Sequence, residues 1–302
     1  MDGFHIPVLL HDVLDGLSMN PSGIYVDVTY GGGGHSAGML SRLSDAGKLI
    51  AFDQDDDALL RAEGGDKRLI LVKSNFRFFS QHLRYLKITE VDGILADLGV
   101  SSHQFDTPER GFSIRFDEVL DMRMNRSQKK SALEVLNEYD AEALSLLFRN
   151  YGELEKSGKL ASAILQFRKK TFLKTTGQLS GIVQQVYGQK HLNQMLARVF
   201  QAVRIEVNAE LDALQDFLET SLPMLKPGGK LAVISYHSLE DRLVKNFMRH
   251  GKTEGEQESD VFGNRFSPFN QLTKKPIVPS EDEVEKNPRS RSARLRIAEK
   301  RK

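Results

Sequence analysis

Four consecutive glycines, Gly31 to Gly34, separate a short apolar stretch, Gly23-Ile24-Tyr25-Val26, from the helix-like run Ser36-Ala37-Gly38-Met39-Leu40-Ser41. A backbone needs such a run where it turns sharply and something must approach closely, because a Cβ obstructs both. At the carboxyl end of a first parallel strand, what approaches is usually a nucleotide. The next apolar run, Lys48-Leu49-Ile50-Ala51-Phe52, ends in Asp53, twenty positions past Gly33. A carboxylate there can accept the hydroxyls of a ribose. Loop and acid together predict a nucleoside site.

Two loop patterns fit. Gly32-x-Gly34-x-x-Ala37 matches the G-x-G-x-x-A form of a dinucleotide fingerprint. Asp27-x-Thr29-x-Gly31-x-Gly33 resembles the acid-first D-x-G-x-G-x-G loop of S-adenosylmethionine enzymes, with Thr29 replacing the first glycine. The acid favours the second pattern. Asp27 would lie where the cofactor's positively charged aminoacyl end sits, whereas before a pyrophosphate it would add unwanted negative charge. A purely structural turn is the remaining alternative.

Strand–helix units follow one another at the start, with strands expected near 23–28, 48–53 and 68–73 and a fourth over Val91 to Gly99. Such alternation predicts an α/β fold, a parallel sheet with helices on both faces. The next comparable strand, Lys230 to Ser235, comes only after the turn Lys226-Pro227-Gly228-Gly229. The intervening residues carry helical apolar spacing, as in Leu160, Ile164 and Phe167 or Leu192, Leu196 and Val199, and are too many for a connection inside one sheet. An inserted helical domain is therefore expected over 105–211, within a core of 1–104 and 212–302, with 212–225 as the returning helix. Gly251 to Asp260 reads as a mobile polar loop. Gln271 to Val278 and Ala293 to Glu299 are expected to form an antiparallel hairpin closing the sheet.

A chain of 302 residues, 40% hydrophobic, exceeds the usual single-domain size. No run approaches the roughly 20 apolar residues of a membrane span, and Met1-Asp2-Gly3-Phe4-His5 lacks the basic-then-apolar order of a secretory signal. A cytoplasmic protein without a membrane partner is expected. Cysteine is absent. That removes disulfide scaffolds, P-C-x-x-C zinc deaminases and iron–sulfur chemistry, and no metal is expected. It also removes methylation of cytosine carbon 5, which proceeds through a cysteine adduct.

The net charge of +1 conceals segregation. Arg149 to Arg204 holds ten Lys or Arg against Glu153 and Glu155, a net of +8, and Lys286 to Lys302 holds eight against Glu299, a net of +7. Two basic segments in an otherwise acidic chain point to a polyanion contacted at defined places. Arg168, Lys169 and Lys170 in the first, and Arg289, Arg291 and Arg294 in the second, are the candidate contacts to it. Solvated helix faces are the plainer alternative.

Eight blocks in fixed order then carry a resemblance: His5-x-Pro7-Val8-Leu9; Asp27-x-Thr29-x-Gly31-x-Gly33-Gly34-His35-Ser36; Asp97-Leu98-Gly99-Val100-Ser101-Ser102; Glu109-Arg110-Gly111-Phe112-Ser113; Leu120-Asp121-Met122-Arg123-Met124; Phe200-Gln201-Ala202-Val203-Arg204; His237-Ser238-Leu239-Glu240-Asp241-Arg242; and Asn287-Pro288-Arg289. Along nearly its whole length the chain resembles the bacterial 16S rRNA (cytosine-N4) methyltransferase family, which depends on S-adenosylmethionine. The resemblance implies a class I (Rossmann-like) methyltransferase sheet with an inserted, mostly helical substrate-recognition domain. It also implies, as substrate, a cytosine in the decoding region of 16S rRNA in the small ribosomal subunit. Carried over by motif, the cofactor contacts fall on Gly33, Gly34, His35, Asp53, Phe76, Asp97 and Gln104. Two positions depart from the family pattern: His103 stands where proline is usual, and Tyr236 where phenylalanine is common. A homodimer is compatible with the sequence, which does not specify the oligomeric state.

Each position has an ordinary reading as well. His35 can cap the helix after the glycines, Phe76 can fill core, Asp97 can accept bonds in a turn, and Ser238 can be the N-cap of a helix. For chemistry, cytosine N4 lacks a free lone pair, and an acceptor for its N–H favours the pyramidal, nucleophilic form. The segment Asp97 to Ser102 is expected to supply that acceptor, with Asp97, Ser101 and Ser102 as candidates and His237 facing it across the pocket. An NAD-dependent oxidoreductase and a catalytically idle rRNA-binding assembly factor are the rival readings.

Overall fold

The computed structural model describes residues 7–60, 65–253 and 267–302. The chain divides into two compact units, Met1–Gly99 with Leu211–Lys302, and Val100–Glu210. Among the described residues no helix is long and apolar enough to cross a membrane.

The first unit is built on one seven-stranded sheet: β1 (Ile24–Asp27), β2 (Lys48–Asp53), β3 (Leu69–Lys73), β4 (Val91–Asp97), β5 (Leu225–Ser235), β6 (Phe269–Gln271) and β7 (Arg294–Lys300). The order is β3-β2-β1-β4-β5-β7-β6. Strands β1 to β5 pair in parallel, while β7 runs antiparallel to both β5 and β6. This is the arrangement expected of a class I methyltransferase sheet, not of a dinucleotide fold closed by parallel strands.

The central strands read as nearly continuous apolar runs because helices cover both faces. Successive side chains point to opposite faces, and the core divides accordingly. Val26, Ile50, Phe52, Ile94, Ala96, Leu231 and Val233 pack with Phe79, Leu83, Phe217 and Phe247. Tyr25, Leu49, Leu95, Ala232, Ile234, Leu295 and Ile297 pack with Val13, Leu17 and Met39. Burying each Val, Leu, Ile, Phe or Met side chain among them contributes about 1.5–3 kcal/mol.

Three elements differ from expectation. The last hairpin pairs Phe269–Gln271, not Gln271 to Val278, with β7; farther on only Ile277 forms an isolated bridge to Leu295. Between Thr273, bonded to Ile297 O, and Ile277, bonded to Leu295, three residues stand opposite Arg296 alone, and that excess interrupts the ladder. Pro227 to Gly229 fall inside β5 as an irregularity, so that Val91 pairs with Leu225 but Gly93 with Lys230. The unit boundary comes at Gly99 rather than after Gln104, because Val100 and Phe105 pack on the helical unit's own core. The expected loop from Gly251 to Asp260 lies, beyond Thr253, outside the described residues, as does His5 of the first sequence block.

The second unit is helical, with its longest helices over Ala141–Asn150, Ser157–Arg168, Thr176–Tyr187 and Leu192–Asn208. Leu160, Ile164 and Val199 are fully buried in its core. Ser131 with Glu134 and Thr175 with Gln178 form capping boxes, each satisfying otherwise orphaned helix N–H groups. Two sequence blocks are scaffold here. The fully buried Arg110 donates through Nη2 to the carbonyls of Arg123 and Met124, and Asn208 bonds both Met122 O and Met124 N–H at 2.8 Å.

Candidate active site

Ligands of open parallel sheets bind beyond the carboxyl ends of the strands, where the strand order reverses. Here that is between β1 and β4, whose last residues are Asp27 and Asp97. Asp27 is fully enclosed: Oδ2 accepts from Ser36 Oγ at 2.7 Å, and Oδ1 accepts from the Thr29 N–H at 3.1 Å. Burial raises its pKa despite the opposing charge of His35. Its carboxylate organises the loop rather than meeting a ligand directly. Thr29 explains its departure from the loop pattern. Its Oγ1 donates to Asp27 at 3.4 Å and accepts the Asp97 N–H at 2.6 Å, joining two strand ends as no glycine can.

The glycines divide by role. At Gly33 (φ 76°) a Cβ would lie 2.7 Å from the Tyr30 hydroxyl, and at Gly34 it would lie 2.4 Å from Pro7 Cγ, so protein atoms already fill those sides. At Gly32 a Cβ would meet nothing within 4 Å, and the loop is open there. The helix begins at Gly34, with Gly33 as its left-handed N-cap. His35 is therefore not the cap. Its Nε2–H donates to Val8 O at 2.9 Å, which leaves Nδ1 facing Asp97 Oδ2 at 3.5 Å. That contact is favourable only with a proton on one of the two groups.

Asp53 closes the loop from β2. Its Oδ2 accepts the Gly31 N–H and its Oδ1 the Asp55 N–H, each at 2.8 Å, leaving a lone pair on each oxygen. Burial pushes its pKa up to about 6, with those two bonds opposing. Phe76, half-buried, sets its ring edge-on to the core residue Phe217 at 5.7 Å.

Asp97 is held from the other side by Tyr236, whose hydroxyl donates to Oδ1 at 2.9 Å. Burial raises Asp97 to about 6, opposed by the charge of His35 and by the Tyr236 bond. Tyr236 thus occupies the place expected of His237. Side chains of adjacent residues in extended backbone point opposite ways, and His237 (φ −139°, ψ 165°) turns instead into the helix Ser238–His250 as its N-cap. Its Nδ1 accepts the Glu240 N–H at 3.4 Å, while Glu240 Oε2 accepts the N–H groups of Tyr236 and His237 at 2.8 and 3.3 Å. The cap is His237, not Ser238.

Ser101, Ser102 and Gln104 belong to the helical unit. Ser101 Oγ accepts the Gln104 N–H at 3.3 Å, and Gln104 Oε1 accepts the Ser101 N–H at 3.2 Å, a capping box for the helix Ser102–Asp106. His103 occupies the first turn, where the backbone also tolerates proline, and its ring meets Thr107 Oγ1 at 3.2 Å, a contact proline would lack. Of the basic candidates, Lys169, Lys170, Arg289 and Arg291 are exposed. Arg168 donates to the carbonyls of Leu136 and Tyr139 at 3.0 and 2.8 Å, and Arg294 is bonded to Asp241 at 3.3 Å. Asp241 binds Arg296 as well, through both oxygens at 2.6 and 3.1 Å.

The geometry therefore brings together the glycine loop, His35, Asp53 and Asp97, and adds Tyr236. The chain is 54% identical over 297 residues to the ribosomal RNA small subunit methyltransferase H of Flavobacterium johnsoniae, covering 98% of each. It is 52% identical over 297 residues to the protein of the same name from Bacteroides thetaiotaomicron, covering 98% of this chain and 97% of that one. The sequence profile of the MraW methylase family matches residues 2–301, and with that span and a methyltransferase sheet carrying its loop and acids at the switch point, the chain belongs to that family.

Proposed function

We propose that the chain transfers a methyl group from S-adenosylmethionine to the exocyclic N4 amine of a cytosine in the decoding region of 16S rRNA. The observation that carries this is the set of acids around the loop open at Gly32: Asp53 with two lone pairs free, the enclosed Asp27, and Asp97, whose side chain is 22% exposed. The residues fit a cationic nucleoside. Asp53 is pre-set to accept two ribose hydroxyls, and the buried negative charges favour a sulfonium and an aminoacyl group. When bound, S-adenosylmethionine supplies a methyl group on a cationic sulfur for in-line displacement.

Asp97 is the group of this chain that faces the amine in this reading. Its carboxylate accepts one N4–H, which localises the nitrogen lone pair that the ring otherwise shares. Once N4 is methylated and cationic, its proton passes to that oxygen, an acid of pKa about 6 being well matched to neutral pH. The absence of cysteine leaves no nucleophile for carbon 5. In the same reading the helical unit recognises the rRNA through Lys169 and Lys170, Arg289 and Arg291 of the sheet unit meet further phosphates, and the protein works in the cytoplasm beside its substrate. Ser101 and Ser102 serve as the start of the helix Ser102–Asp106. Nucleoside mass spectrometry of 16S rRNA in small subunits, incubated with and without the protein, tests the reading. N4-methylcytidine is expected; 5-methylcytidine, or no new methylated nucleoside, overturns it.

A further inference from the structure

Tyr236 is pinned at both ends. Its backbone N–H is bonded to Glu240 Oε2 at 2.8 Å, and its hydroxyl donates to Asp97 Oδ1 at 2.9 Å. The ring lies against the turn that leaves β4: a Cβ at Gly99 (φ 108°) would sit 3.1 Å from Tyr236 Cδ2. Phenylalanine at this position would keep the backbone bond and the packing. It would lose the bond to Asp97 alone.

We propose that Tyr236 is a positioning residue for methyl transfer, its phenolic O–H holding Asp97 ionised and oriented so that the remaining oxygen lone pairs address the amine. The inference rests on Asp97 as the N4–H acceptor. The charged and titratable groups facing Asp97 are His35 from the helix Gly34–Arg42, Asp27 from β1, and Tyr236 and Glu240 from the end of β5 and the helix that follows. Glu240 and Glu283 also face Tyr236. Three of the neighbours of Asp97 are therefore acids or a phenol, and His35 is the one cation-forming group among them. Against that background the Tyr236 bond, a neutral donor to a charged acceptor, favours the carboxylate without adding charge. Burial and the neighbouring carboxylate push the Tyr236 phenol well above its usual range, so it remains a donor throughout the working pH.

The test is the pH dependence of kcat/KM for Tyr236→Phe on small subunits. The parent is expected to lose rate below the pH, about 6, at which Asp97 protonates. Without the phenolic bond the carboxylate is harder to ionise, and the acid limb should move up by about one pH unit. Below the limb the variant is then about tenfold slower, while the high-pH plateau changes little. In an Asp97→Asn background the same replacement should add nothing. A purely structural role lowers the plateau without moving the limb, and that result, or an equal loss in the Asp97→Asn background, overturns the proposal. Site-specific 3-fluorotyrosine at 236, a stronger donor of nearly the same shape, should move the limb down, and settles the matter if Tyr236→Phe does not fold. A parent that yields no N4-methylcytidine sinks the functional reading and this inference with it. An active parent whose limb neither variant moves sinks this inference alone.

Discussion

Asp53 uses one lone pair on each carboxylate oxygen for a backbone N–H, Gly31 on one side and Asp55 on the other. The side chain is thereby oriented before any ligand arrives, which lowers the entropy lost on binding. Bonds to a charged acceptor contribute about 1.5–3 kcal/mol each, so Asp53→Ala should weaken S-adenosylmethionine binding at least about tenfold, and Asp53→Asn, which keeps an acceptor, less. Calorimetry on folded variants decides; unchanged affinity removes Asp53 from the site. Asp97 illustrates what burial of an acid does to stability. Its native pKa of about 6 exceeds the ordinary 3.8, so between about pH 4 and 6 the native state holds a proton that the unfolded chain releases, and stability falls as pH rises through that window. Asp97→Asn should therefore stabilise the cofactor-free protein at pH 7 by about 1–3 kcal/mol, with the gain gone below about pH 4. Urea titrations at the two pH values check this, and equal stability at pH 7 would contradict it. The loop glycines, Asp53 and Asp97 are legible in the sequence because each is marked by its distance from the end of an apolar run. Tyr236 is not, because its bond to Asp97 spans 139 positions and exists only once β4 pairs with β5. His237 misleads for a related reason: which of two adjacent residues faces a site depends on a single step of register.

Strands β1, β2, β4 and the second half of β5 are legible as elements because burial on both faces makes them mainly apolar, and β3 is legible by its short run Leu69 to Val72 although it is only partly buried. Strand β6, three residues long with two of them exposed, leaves no such run. The helix Ser238–His250 is fastened to the antiparallel strand by Asp241, which binds Arg296 through both oxygens and Arg294 through one. Burial works against the Asp241 charge, but the two arginines outweigh it and hold the pKa below the usual value. The sign is opposite to that of Asp97: the stabilisation is present above the ordinary carboxylate range and is lost as pH falls. Arg296 is only 7% exposed, so Asp241→Ala would leave a buried cation unpaired. A loss of about 3 kcal/mol is expected in urea denaturation; a loss below about 1 kcal/mol would show that the pair is not a structural fastening. Block-like sequence features such as His237 to Arg242 thus combine a cap, a strand-to-helix clamp and a site neighbour, and sequence order alone does not separate those roles.

For the molecule as a whole, whose net charge is +1, two basic segments in an otherwise acidic chain are the surfaces expected to meet RNA under the proposed function. Lys169 and Lys170 are exposed, whereas Arg168 is bonded to two carbonyls of its own unit. Replacing Lys169 and Lys170 by glutamine should lower affinity for the small subunit and reduce the slope of log affinity against log salt by about 1.5, as two fewer phosphates are neutralised. Affinity for S-adenosylmethionine should not change. Arg168→Gln should instead destabilise the helical unit, because two carbonyls lose their donor. Subunit binding that is identical for parent and the double lysine variant across a salt series would return those residues to ordinary solvation. The division into units was readable from the long gap between apolar runs, but its edge at Gly99 was not, since it depends on where Val100 and Phe105 pack. That division also schedules synthesis. The helical unit is contiguous, whereas β4 ends at Asp97 and its neighbour β5 begins only at Leu225. On a translating ribosome the first four strands emerge with the β4 edge uncovered and wait while the entire helical unit is made, which can condense in that interval as they cannot. The nascent half-sheet is an apolar edge awaiting a partner, and its exposure to chaperones and to misjoining lasts until β5 has emerged from the ribosome.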